Sequence, residues 1–401
     1  MGHAPIMTPD PIRHTAFLVL DQVASGRHTL DDVIDQAILT AHITDRRDRN
    51  FIYALSYGTL RWQGQLDWIL NQVSNRPIEE INPKVRNILR LGLFQIRFMD
   101  RIPTSAAVNT SVNLSKTVVG SKVSGFVNAV LRNAIRRQDT IRLPNISRDP
   151  VASLSVRMSF APWMISRWIK RMGVEETLAG CETINTIAPL TLRANTLKTD
   201  RQALIHSLKA DGETPSAAPC SPLGIQLKQA NRTIPDLAGF QTGSFQVQDE
   251  AAQLVTFLLD PKPCENILDA CAGLGGKTGH IAQLMNNTGC ITAADHHPEK
   301  LKRLSREMGR LGITIVSPCK VNLNKQSVVS ALDCFDRVFL DAPCSGLGVL
   351  RRHPDAKWRH SAETIVKMAD RQFRDALPSW RAGQAGGYDG LFGLLNRARG
   401  K

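Results

Sequence analysis

The run Asp341-Ala-Pro-Cys344-Ser-Gly346 ends an apolar stretch with a carboxylate, a thiol and a tight turn. Those two side chains are the groups of acid–base and nucleophilic chemistry. Upstream, Asp269-Ala-Cys271-Ala272-Gly273-Leu274-Gly275-Gly276-Lys277 follows a short strand and opens an apolar helix. Its glycines let the backbone approach a ligand closely, the helix start offers free N–H groups to a carboxylate, and Lys277 adds a positive charge. Asp295 ends the next strand, roughly 20 residues on, where a carboxylate can hold ribose hydroxyls. Loop and carboxylate together describe an adenosine cofactor, and NAD and S-adenosylmethionine (SAM) both satisfy that description.

The strand carrying Asp341 separates the two. A dehydrogenase has no use for Pro-Cys at this place, and an amino-methylating enzyme would carry Asn/Asp-Pro-Pro-aromatic, with the aromatic stacked on the base. Here a cysteine stands where the aromatic would be.

The elements that must position these residues form a strand–helix alternation. Strands are expected at 266–270, 290–295, 313–316 and 337–343, separated by apolar helices, which means a parallel, doubly wound sheet. Ahead of it, residues 141–240 mix short segments with Pro, Gly and Ser; "LTLRA" reads as a strand over Leu190–Ala194, followed by a helix capped near Thr199 or Asp200. This is a small α+β module. From Arg13 to Arg137 the pattern is helical, with apolar faces through Val85, Ile88, Leu89, Gly92, Ile96 and Met99, through Val108, Val112, Leu114 and Ser115, and through Phe126, Val127, Val130, Leu131 and Ile135. Pro83 suits a first helical turn, and Gly120 and Gly125 bracket a turn. Arg86, Arg90, Arg97, Arg132, Arg136 and Arg137 occupy the outer faces, either as a solvated surface or as one that faces RNA. The expected divisions are 1–140, 141–240, 241–374 and an aberrant tail at 375–401.

The 401 residues carry a formal net charge of +14, which points to a polyanionic partner, most often nucleic acid. No apolar run is long enough for a signal or a membrane span, so a cytoplasmic protein is expected. The eight cysteines show no CxxC pair and no finger-like Cys/His spacing, which argues against structural zinc, and no metal is expected. Cys181, Cys220, Cys290, Cys319 and Cys334 read as ordinary reduced or buried thiols.

Taken together, "IPTSAAVNTSV" (102–112), "GFVNAVLRNAIRR" (125–137), "FQVQDEAAQL" (245–254), "DACAGLGGKT" (269–278) and "DAPCSGLGVLRRHPDAKW" (341–358) resemble the Sun/Fmu (RsmB) branch of the RNA cytosine-C5 methyltransferases. The resemblance runs from about Arg13 to Arg374. It implies a multidomain chain: an all-α NusB-like RNA-binding domain, a small α+β linker module and an α/β Rossmann-like SAM methyltransferase core, incomplete at its C-terminal end. It further implies a monomer that acts on 16S ribosomal RNA. By the resemblance, Cys271, Ala272, Gly273, Leu274, Gly275, Gly276, Lys277, Asp295 and Asp341 are similar to SAM-binding positions. Gly273-Leu274 replaces the family's Ala-Pro, which should loosen the loop slightly. Asn322 stands where the family has an acidic residue reaching the adenine; an amide can still accept from the adenine amino group.

The implied chemistry explains the cysteines. Carbon 5 of cytosine is a poor nucleophile until a thiolate adds to carbon 6, after which it can take a methyl group and the enzyme is eliminated. Asp341 would stabilise the developing charge through the ring N3. The family uses two cysteines: the one matching Cys344 helps release product, and the nucleophile lies in a later Thr/Val-Cys-Ser motif after Lys-Pro-Gly-Gly.

No such motif occurs in this chain. Residues 375–401 are instead rich in Gly, Ala and Arg. Back-translated from Asp375 and read one base later, residues 375–387 permit Met-Leu-Cys-Leu-Pro-Gly-Gly-Leu-Val-Lys-Pro-Gly-Gly. Residues 388–401 then permit Thr-Met-Val-Tyr-Ser-Val-Cys-Ser-Thr-Glu-Pro-Glu-Glu. That is the missing motif, in order, with its nucleophile where Leu394 now stands. A genuine short C-terminal variant is one account of this tail; the expectation is a shifted frame near Arg374, in the gene or by sequencing error, with little or no methyl transfer. An RNA-binding pseudoenzyme is the second reading and an NAD-dependent oxidoreductase the third, the latter disfavoured by Asp341-Ala-Pro-Cys344.

Overall fold

The computed structural model describes residues 10–322, 335–370 and 372. The chain divides into two compact units: residues 1–187 with 346–362, and residues 188–345 with 363–401.

The first unit is helical. It comprises α1 (Pro11–Ala24), α2 (Leu30–Thr40), α3 (Arg46–Arg61), α4 (Gln63–Val73), α5 (Pro83–Phe98), α6 (Thr104–Val118) and α7 (Ser124–Arg136), then α8 (Pro150–Arg157), α9 (Pro162–Met172) and α10 (Val174–Asn185). Local chemistry sets the starts. Side chains of Asp10, Thr29, Asp45, Asn82 and Asp149 accept from first-turn N–H groups, and Thr29 with Asp32 forms a capping box. Helix α5 is the central element: Val85, Ile88, Leu89 and Leu93 are buried in a cluster that also takes Leu55, Leu66, Val108 and Leu131. Each such side chain contributes about 1.5–3 kcal/mol on burial. Arg90, expected on an outer face, is buried instead; its guanidinium is held by both carboxylate oxygens of Asp67 on α4, at 2.6 and 2.7 Å. A bidentate pair of this kind makes the burial tolerable.

A second cluster gathers α8, α9 and α10 around Leu154, Phe160, Met164, Ile165 and Cys181, together with Leu350 and Ala356 from the returning segment. Lys357 is fully buried there. Its Nζ donates to Arg61 O (3.1 Å), Ser159 O (3.2 Å) and Asn185 Oδ1 (2.6 Å), and lies 3.7 Å from the Phe160 ring centroid. Burial holds its pKa well below the usual lysine range.

The second unit contains two sheets. The antiparallel one has strand order β2-β3-β1-β4, from β1 (Leu190–Ala194), β2 (Pro215–Ala217), β3 (Gly224–Leu227) and β4 (Phe245–Val247), with α11 (Arg201–Ala210) packed on it. Asp200 caps α11, as expected. The parallel sheet has order β7-β6-β5-β8, from β5 (Asn266–Asp269), β6 (Cys290–Asp295), β7 (Val316–Lys320) and β8 (Arg337–Phe339), with α12 (Glu250–Leu259), α13 (Gly276–Leu284) and α14 (Pro298–Leu311). Ile267, Ile291 and Phe339 point into one core layer and Leu268, Ala294 and Val338 into another, so both faces of the sheet are apolar.

The third strand begins later than its apolar run suggests. Gly312 (φ +76°) stops α14 in the left-handed conformation and the Ile313 N–H returns to Met308 O at 2.9 Å. Residue 313 is thus the apolar stop of a helix, not the start of a strand. Pairing with β6 begins at Val316, opposite Ile291.

Candidate active site

The crevice beyond the carboxyl ends of β5, β6 and β8 is where a doubly wound sheet binds ligands, and the order β7-β6-β5-β8 puts the change of direction between β5 and β8. The chain from 270 to 275 is tied across that end by backbone bonds: Ala270 N to Phe339 O (2.8 Å), Ala272 N to Ala294 O (2.9 Å) and Gly275 N to Ala272 O (2.9 Å).

Gly275 has φ +86°, and a Cβ there would lie 2.8 Å from Leu304 Cγ, so no other residue fits without displacing α14. Gly276, the first residue of α13, has nothing within 4 Å of its Cβ position, and Gly273 meets only the Cys271 carbonyl, at 4.0 Å. The outer side of the loop is therefore open. Leu274 is exposed.

Asp295 joins the loop. Its Oδ2 accepts from Gly273 N (3.1 Å) and its Oδ1 from His297 N (2.8 Å). Val321 N bonds Asp295 O at 3.1 Å, and Asn322, the next residue, is exposed. Lys277 Nζ reaches Asp341 Oδ2 at 2.5 Å, linking the glycine loop to the end of β8. Cys344, three residues on, is exposed. The structure thus brings Cys271 to Lys277, Asp295, Asn322, Asp341 and Cys344 to one end of one sheet. Leu394 and the rest of 375–401, like Cys334, lie outside the described residues.

Beneath the loop is a polar layer whose burial sequence reasoning missed. Asp269 is buried, accepts from Thr278 Oγ1 (2.7 Å) and leaves Oδ1 without a partner. Burial raises its pKa to about 6. His280 is buried edge-on to Phe257, with neither ring nitrogen bonded, and burial lowers its pKa to about 2, so it is neutral.

Arg193 on β1 is fully buried. It donates to Gln283 Oε1 (3.0 Å), Gln246 Oε1 (2.8 Å), the Gln248 side chain and Gly276 O (2.9 Å). Burial lowers its pKa to about 9. Three amides and one carbonyl thus hold a buried cation against the start of α13. The signal was present in "FQVQDE": Gln246 stands opposite Arg193 in the β1–β4 register.

Among the described residues no group of His, Cys, Asp and Glu could hold a metal ion. No helix of the described residues is long and apolar enough to cross a membrane.

Three family models match in series: the NusB family over 10–136, the ferredoxin-like domain of RsmF/B-like methyltransferases over 160–233, and 16S rRNA methyltransferase RsmB/F over 256–388. The chain belongs to the 16S rRNA methyltransferase RsmB/F family. It is 38% identical over 356 residues, 89% of this chain and 79% of the relative, to the probable ribosomal RNA small subunit methyltransferase B of Synechocystis sp.. The crystal structure of PH0851 superposes with TM-score 0.75 at 23% identity, covering 93% of this chain and 83% of that one. NSun6 from Pyrococcus horikoshii, solved with SFG, superposes with TM-score 0.50 at 20% identity, covering 55% and 79%.

Proposed function

We propose that the methyl donor is SAM, that the target is carbon 5 of a cytosine in 16S rRNA, and that this polypeptide lacks the nucleophile needed to complete the transfer. The observation that carries the reading is the Lys277–Asp341 pair, which ties a glycine loop open on its outer side to the Asp-Ala-Pro-Cys turn. The site suits SAM: Gly273 and Gly276 leave room above the loop, the start of α13 offers N–H groups to a carboxylate, and Asp295 stands where ribose hydroxyls would lie. The fold neighbour that holds SFG, an analogue of SAM, is consistent with this. Bound there, SAM supplies an electrophilic methyl group.

The remaining chemistry belongs to side chains. In the reaction of the lineage, a cysteine thiolate forms a bond to C6 of the ring and C5 gains the electron pair with which it takes the methyl. A base then removes the C5 proton as the S–C6 bond breaks and the thiolate leaves. Asp341 has Oδ2 engaged by Lys277, leaving Oδ1, when it carries a proton, to donate to the ring N3. Cys344 belongs to the release step. The attacking thiol has no counterpart in this chain, since Leu394 occupies its place.

The expected behaviour is SAM binding and RNA binding without formation of 5-methylcytosine. Mass spectrometry of small-subunit RNA incubated with the purified chain and methyl-labelled SAM tests it; methylated cytosine in the digest would refute the assigned loss. Tight NAD binding with no SAM binding would overturn the cofactor.

A further inference from the structure

The loop between α7 and α8 encloses a groove of about 640 Å³, lined by Arg142, Leu143, Asn145, Ile146, Arg148 and Arg157. The three arginines are exposed, no carboxylate lines the groove, and none of the three forms an ion pair among the described residues. An exposed arginine such as Arg232 faces Asp211, whereas these three share one groove with no acid in it.

The groove is built rather than incidental. Arg142 O accepts from Trp68 Nε1 (3.2 Å) and Gln72 Nε2 (3.4 Å), which pins one rim to α4. Pro144 O accepts from Ser153 Oγ (2.9 Å) and Arg157 Nε (3.3 Å), which pins the other rim to α8. Asn145 closes the turn between them, its Oδ1 accepting from Ser147 N (2.8 Å). The nearby carboxylate, Asp149, is occupied as the cap of α8. Arg157 is oriented through Nε, so its two terminal nitrogens remain available.

We propose that this groove is a phosphate-binding subsite for the backbone of the RNA substrate. Guanidinium groups present paired donors that match phosphate oxygens, and a rim fixed by backbone bonds reduces the ordering needed to bind. The inference rests on the RNA reading above and adds a location to it: the contact lies on the helical unit and is sequence-independent.

The test compares the full chain with Arg142→Gln/Arg148→Gln, in which neither changed side chain supports the loop, and with the triple variant that adds Arg157→Gln. Binding of a fluorescein-labelled hairpin of small-subunit rRNA sequence is titrated from about 50 to 200 mM salt. The expected result is at least tenfold weaker binding for the double variant and a log K–log salt slope smaller by about one per arginine removed. Lysine at the same positions should restore most of the slope. Charge-matched Lys300→Gln/Arg303→Gln on α14 should leave the slope unchanged, and SAM binding should be the same in all variants. A double variant with wild-type affinity and slope, or a control that loses as much, overturns the subsite while leaving the RNA reading intact. No RNA binding by the unaltered chain overturns both.

Discussion

Arg193 shows what a single buried charge does for the cofactor loop. It has no carboxylate partner, yet its bonds to Gln246, Gln283 and Gly276 O satisfy the guanidinium in the plane of β1 and fix the first turn of α13. Arg193→Met removes the donors and leaves three amide oxygens and a carbonyl buried without that partner. A loss of about 3 kcal/mol or more in urea unfolding is expected, with weaker SAM binding by calorimetry in whatever fraction folds. Asp269 is buried beneath the same loop. Its folded pKa of about 6 exceeds the ordinary 3.8, so the folded chain holds a proton that the unfolded chain releases. Its contribution to stability therefore falls as pH rises from about 4 to about 6 and is constant above. Melting curves of wild type and Asp269→Asn across that range should diverge in favour of the variant as pH rises; parallel curves would contradict the assignment.

At the scale of elements, the loop, its strands and the helices between them were legible, and α8 to α10 were not. Asp269 to Lys277, Asp295 and Asp341 could be placed because glycine spacing and strand-terminal carboxylates have few other uses. Helices α8, α9 and α10 were read as mixed segments because Pro150, Pro162 and Gly173 look like breaks; each proline is in fact a helix start and Gly173 a helix stop. The burial of Arg90 and Lys357 was likewise invisible, since their partners Asp67 and Asn185 lie far away in sequence. Two predictions belong here. Gly275→Ala, at φ +86° with Leu304 2.8 Å away, should cost about 1–3 kcal/mol by urea unfolding and abolish SAM binding. His353 Nδ1 lies 3.2 Å from Asp31 Oδ2, and that hydrogen bond raises the histidine pKa above its ordinary 6.5. The anchoring is therefore complete below about 6.5 and lost as pH rises through the higher folded value. Amide exchange in residues 347–359 should quicken over that interval, corrected for intrinsic rate, and His353→Gln should remove the effect.

For the whole molecule, the surplus of basic residues, the NusB-like helical unit and the doubly wound core agree on a methyltransferase that meets RNA. On the proposed reading, Cys271 to Lys277, Asp295 and Asp341 face the cofactor and Cys344 serves a cytosine reaction. The proposed loss of the nucleophile rests on residues 375–401, where the neighbouring reading frame permits Lys-Pro-Gly-Gly and Cys-Ser. The most direct measurement compares this polypeptide with one whose residues 375–401 are replaced by the frame-restored sequence, using labelled SAM and small-subunit RNA. The account predicts SAM binding by both chains and 5-methylcytosine only with the restored one. Equal methylation by the chain as it stands would contradict it.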